Sequence, residues 1–127
     1  MSPISVAVVD DDPVELILLT EIAADVAPEA TLAGFSSVDA FVAADVSQYA
    51  LVLLDRRIPP YRDYAETLPM LADAGYDQRV VLMTAHDPGL EVGDYPFSIT
   101  GPVDKLDLLK PEVLKAVLTA GTLPRRW

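Results

Sequence analysis

A chain of 127 residues, 51% apolar and 23% charged, has enough material for one hydrophobic core and does not have the composition of a disordered polymer. Its 20 acidic and 9 basic residues leave a net charge of −11, which excludes the clustered cationic surface that nucleic acids and anionic lipids select for. The lack of cysteine excludes disulfides and thiolate chemistry, and a single histidine, His86, excludes a zinc site of the usual His/Cys type.

Residues 4–9 form a short run apolar on both faces, the pattern of a central strand in a parallel sheet. Nothing resembling a signal peptide precedes it, and apolar runs such as Tyr49 to Leu54 are far too short to span a membrane. The default location is therefore cytoplasmic. The strand stops at Asp10-Asp11-Asp12. Asp12 is then a helix N-cap and Pro13 a first helical residue, which predicts a helix over 13–26 with Val14, Ile17, Leu18 and Ile22 on its buried face.

A second strand is predicted over 31–35, followed by a helix capped by Ser36 or Ser37 and running to about Ala44. The third strand, 50–54, is the most apolar run and ends at Asp55. After a loop with Pro59-Pro60, a helix is predicted from about Asp63 to Ala74, closed by Gly75 and kinked or restarted at Pro69. The fourth strand, 79–84, ends at Thr84. Residues 87–98 carry two prolines and two glycines, so no regular helix is expected there. A poorer fifth strand is placed at 99–104, despite Gly101 and Pro102, and a last helix runs from about Pro111 to Ala120. The domain spans 1–120. The tail 121–127, with Leu123, Arg125, Arg126 and Trp127, is either a docking element or a frayed end. Strands alternating with helices predict a parallel α/β sheet covered on both faces.

Ligands of such sheets bind at the carboxyl ends of the strands. Those ends carry Asp10, Asp11 and Asp12, then Asp55, then Thr84, and finally Lys105. Taken singly, each has an ordinary reading as a turn residue, an N-cap or a surface lysine. Together they are several carboxylates, a hydroxyl and an amine at four successive strand ends. Two carboxylates 4 Å apart repel by about 4 kcal/mol at an effective dielectric near 20. Oxygen-only ligands suit Mg²⁺, whose open positions accept phosphate oxygens. A carboxylate is also a competent nucleophile, and the amine and hydroxyl can hold the remaining phosphate oxygens. The set fits phosphoryl transfer onto a carboxylate.

VAVVDDDP (6–13), YALVLLDRRIPP (49–60) and VVLMTAHD (80–87) resemble the three strand-end motifs of the response-regulator receiver family of two-component signalling. The spacings resemble the family's as well: Asp55 follows Asp10 by 45 residues, Thr84 follows Asp55 by 29, and Lys105 follows Thr84 by 21. The resemblance covers about residues 4–120. It implies a flavodoxin-like, doubly wound, five-stranded parallel sheet of order 2-1-3-4-5. It implies Asp55 as phosphoacceptor, and Mg²⁺ on Asp10, Asp11, Asp55 and the backbone carbonyl of Arg57. Thr84, Ala85 and Lys105 would form the phosphate-binding switch, with Arg57 and His86 flanking the path of hydrolytic water.

The chain departs from the family where the signal is usually transmitted. Leu106, not proline, follows Lys105, and the Lys-Pro pair is Lys110-Pro111, which makes Lys110 the alternative pocket lysine. Pro102 occupies the place of the aromatic switch residue. Asp63, Tyr64 and their neighbours replace the usual glycine, and the helix before the fifth strand is shortened or irregular.

The resulting expectation is a single-domain response regulator that is not an enzyme. It would receive phosphate from a histidine kinase or phosphotransfer protein and signal to a downstream protein target. No nucleic acid or membrane partner is expected, and the oligomeric state stays open between monomer and homodimer. Two alternatives remain: a pseudo-receiver binding module without phosphate control, and a haloacid-dehalogenase-like phosphatase using Asp10. The second rests on Asp10-Asp11-Asp12-Pro13-Val14, which also satisfies D-x-D-x-[TV].

Overall fold

Residues 4–55, 58, 60–61, 64–84 and 95–120 are described by the computed structural model, with the backbone alone for Thr84, Gly101, Pro102 and Ala120. Five strands, β1 (Ile4–Val9), β2 (Ala30–Phe35), β3 (Leu51–Asp55), β4 (Arg79–Thr84) and β5 (Ser98–Asp104), form one parallel sheet. Its order is β2-β1-β3-β4-β5, as expected. The helices are α1 (Pro13–Val26), α2 (Val38–Ala43), α3 (Tyr64–Asp73), α4 (Lys105–Leu108) and α5 (Pro111–Ala120), with a 3₁₀ turn at Val46–Gln48.

Two cores form because strand side chains alternate between faces. On one face Ala7, Val9, Val52, Leu54, Val80 and Leu82 pack with Phe41 of α2 and Tyr64, Leu68 and Leu71 of α3. On the other, Val6, Val8, Leu51, Leu53, Val81 and Met83 pack with Leu19 and Ala23 of α1 and Val113, Leu114, Val117 and Leu118 of α5. The alternation puts Asp55 on the second face, in step with Leu51 and Leu53. Every residue of β3 is buried, because the sheet continues on both sides and both faces are covered.

Local signals set several boundaries. Asp12 caps α1, its side chain accepting from the Val14 amide at 3.0 Å. Ser37, rather than Ser36, caps α2 by accepting from the Ala40 amide at 3.1 Å. Gly75 follows α3 at φ +87, a left-handed conformation that side chains with a Cβ rarely adopt. Its amide and that of Tyr76 close the helix on the Ala72 and Leu71 carbonyls. α3 runs through Pro69 unbroken.

Strand β5 accommodates Gly101 and Pro102 by a register shift. Val81 pairs with Thr100 and Met83 with Val103, so two residues face one. Pro102 lacks an amide to donate, and β5 lies at the sheet edge, where that loss is tolerated. Of the segment expected to be irregular, residues 87–94 lie outside the described residues, as does the tail. The fourth helix in chain order, α4, is four residues long and was not foreseen; it starts because Asp104 caps it, accepting from the Leu106 amide at 2.8 Å.

One expectation is wrong. Val14 and Ile17 are each 55% exposed and Leu18 is also exposed, whereas α1 buries Glu15, Leu19 and Ala23. The helix is apolar on nearly all sides, so its periodicity does not single out a face. Packing on β2 decides the matter. A Cβ on Gly34 would stand 2.3 Å from Leu16 Cδ2, so this glycine is what lets Leu16 lie against the sheet.

Candidate functional site

The parallel register sets the site. Val9 pairs with Leu54, so Asp10 and Asp55 come next on adjacent strands and lie level. Asp55 itself pairs with Met83, and Thr84 pairs with Asp104, the residue before Lys105. Four strand ends thus deliver their chemistry to one edge.

Asp10 is held on three sides. Its amide donates to the Phe35 carbonyl at 3.0 Å, Oδ1 accepts from the Asp12 amide at 3.0 Å, and Oδ2 accepts from Lys105 Nζ at 2.8 Å. The same ammonium lies 3.2 Å from Asp55 Oδ1. Asp10 and Asp55 are both buried, while Asp11 is exposed beside them. Burial pulls the Lys105 pKa down, but the hydrogen bond to Asp10 and the charge of Asp55 outweigh it and hold the ammonium above its ordinary value. Lys105 therefore stays charged at neutral pH.

Asp10, Asp11 and Asp55 each present a carboxylate oxygen, all within 4.8 Å of one another. Among the described residues three carboxylates meet one ammonium here, and Asp11 opens to solvent. Hard oxygen donors with an open side suit a divalent cation that keeps several of its waters, so these residues fit Mg²⁺. Asp10 and Asp11 also line a cleft of about 370 Å³ shared with Leu16, Phe35 and Ser36.

Of the residues singled out in the sequence, Asp10, Asp11, Asp55 and Lys105 are brought together. Thr84 ends β4 beside them in backbone position. Lys110 is not part of the group; its ammonium pairs with Asp107 at 3.0 Å. Arg57, Ala85 and His86 lie outside the described residues.

Glu15 was missed. It belongs to the first turn of α1, is only 7% exposed, and its Oε1 has no hydrogen-bond partner among the described residues. Burial raises its pKa above the ordinary carboxylate value. Lys105 opposes that rise, while Asp10, Asp12 and Asp55 add to it. The available signal was an acid in the first turn of a helix that starts at the acidic pocket. Assigning the wrong face of α1 to the core concealed it.

No family model and no curated protein matches the chain. Solved structures do. The receiver domain of the stress response regulator RcsB from Escherichia coli, in its non-phosphorylated form, superposes with a TM-score of 0.72 at 17% identity, over 96% of this chain and 97% of that one. A longer RcsB response regulator from Salmonella typhimurium gives 0.70 at 17% identity; the match covers 98% of this chain but spans only 65% of that protein. The beryllofluoride-activated NtrC receiver domain gives 0.56 at 28% identity, over 68% of each chain. With its 2-1-3-4-5 parallel sheet and helices on both faces, the chain has the fold of the response-regulator receiver domains.

Proposed function

We propose that the protein is a phosphoryl acceptor of two-component signalling, modified on Asp55 by a histidine kinase or phosphotransfer protein. The observation that carries this reading is the meeting of Asp10, Asp11 and Asp55 within 4.8 Å, with Lys105 bridging Asp10 and Asp55. A carboxylate oxygen of Asp55 attacks phosphorus, a P–O bond forms as the donor's P–N bond breaks, and the donor imidazole leaves as the neutral base. Lys105 would pair with a phosphoryl oxygen, and the Thr84 hydroxyl would donate to another. Asp10, Asp11 and Asp55 would hold Mg²⁺; the ion would offset the negative charge that phosphate and carboxylates bring together.

The donor also needs a surface. Val14, Ile17 and Leu18 form an exposed apolar strip on α1, three to seven residues after Asp11. Leu106, next to Lys105, is 73% exposed. Apolar side chains left in water on elements that start at the pocket suit a docking partner that delivers phosphate there. The protein would then be a switch rather than an enzyme.

Mass spectrometry after incubation with Mg²⁺ and acetyl phosphate tests the reading. Wild type should gain one phosphoryl group and Asp55→Asn none. Modification of the variant, or none of the wild type, sinks it.

A further inference from the structure

A carboxylate buried without a hydrogen-bond partner is costly, about 1–3 kcal/mol for an unsatisfied group and more when charged. Glu15 Oε1 is in that position, in a residue more than nine-tenths buried. The charges that act on Glu15 are Lys105, Asp10, Asp12 and Asp55, which are the groups of the pocket itself. Glu15 lies in the first turn of α1, the helix that starts directly after Asp10-Asp11-Asp12, and that helix packs on the sheet face of Leu51 and Leu53, with which Asp55 is in step.

Glu15 is not a direct member of the ligand group. Among the described residues, the carboxylates whose oxygens come within 4.8 Å of one another are those of Asp10, Asp11 and Asp55. A buried carboxylate on the helix that begins at the site, outside the ligand group and with one oxygen lacking a donor among the described residues, matches what a hydrated cation requires. Mg²⁺ keeps several waters, and each bound water is a strong hydrogen-bond donor.

We propose that Glu15 is a fourth carboxylate of this metal site acting through water, its Oε1 accepting a hydrogen bond from a water carried by a divalent cation on Asp10, Asp11 and Asp55. The inference rests on the metal-site reading given above. It makes Glu15 a positioning residue that favours a hydrated divalent ion over a bare or monovalent one. It also accounts for the orphaned oxygen, whose partner arrives with the ion.

The test is Mg²⁺ titration calorimetry on wild type, Glu15→Gln and Glu15→Leu, with urea unfolding of each in chelator. Glu15→Leu should bind Mg²⁺ about 10–100-fold more weakly. Glu15→Gln, which keeps an acceptor and loses the charge, should fall between. Without metal, both variants should be at least as stable as wild type, because each removes a buried unpaired charge. Unchanged Mg²⁺ affinity in both variants overturns the inference and leaves the metal site standing. A loss of metal-free stability in both variants also overturns it, since that marks a structural role. If wild type itself binds no Mg²⁺, the metal-site reading falls and this inference with it.

Discussion

Replacing Lys105 with methionine removes the one ammonium that bridges Asp10 and Asp55 while keeping an apolar stem of similar length. Nζ lies 2.8 Å from Asp10 Oδ2 and 3.2 Å from Asp55 Oδ1. At an effective dielectric of about 20 these contacts are worth about 6 and about 5 kcal/mol in gross attraction. Desolvation of three charges offsets most of that. Removing one partner of a buried ion pair nevertheless costs about 3–5 kcal/mol, because the remaining charges stay buried and uncompensated. The Lys105 side chain is 20% exposed, which points to the lower end, about 3 kcal/mol. With a urea slope of about 2 kcal/mol per molar, the unfolding midpoint should fall by about 1.5 M. Because a divalent ion supplies the same positive charge to the same carboxylates, millimolar Mg²⁺ should stabilise Lys105→Met more than wild type, by roughly 1 kcal/mol. Urea unfolding with and without Mg²⁺ measures both quantities. A midpoint within error of wild type in chelator, or an equal Mg²⁺ effect on the two proteins, would refute this account of the pocket.

Two further outcomes follow from other parts of the structure. Ile17→Lys together with Leu106→Glu should leave the far-UV spectrum and phosphorylation by acetyl phosphate unchanged, since both side chains are exposed, yet slow phosphotransfer from the cognate donor about tenfold; equal rates with the protein donor would remove the docking role of this surface. Glu15 has a folded-state pKa raised above 4.5, so its contribution to stability is fully present below that value and is lost as pH rises through the raised one. In chelator, Glu15→Gln should therefore exceed wild type in stability by about 1 kcal/mol near neutrality, with the gap closing toward pH 4.5. A gap that does not change with pH would contradict the burial assigned to Glu15.

The parts of this molecule that its sequence determined are those governed by neighbours along the chain. Asp12-Pro13 starts α1 and Gly75 ends α3, because capping and positive φ involve a few adjacent backbone groups. Continuous apolar runs mark β1, β3 and β4 as buried strands, and their alternation with helices leads to a parallel sheet. The strand-end rule then brings Asp10, Asp55 and Lys105 to one edge before any contact is seen. Tertiary packing decided the rest. α1 carries apolar residues on nearly every side, so only the fit of Leu16 over Gly34 settled that Val14 and Ile17 face water and Glu15 is buried. Lys105 and Lys110 are each plausible in sequence; the shifted register of β5 and the cap at Asp104 placed one between two carboxylates and left the other beside Asp107. The unpartnered oxygen of Glu15 belongs to the same class, since whether a buried acid finds a donor depends on groups far apart in the chain. Chain-local chemistry wrote the frame and the acceptor, and packing between distant elements chose which face, which lysine and which additional carboxylate complete the site.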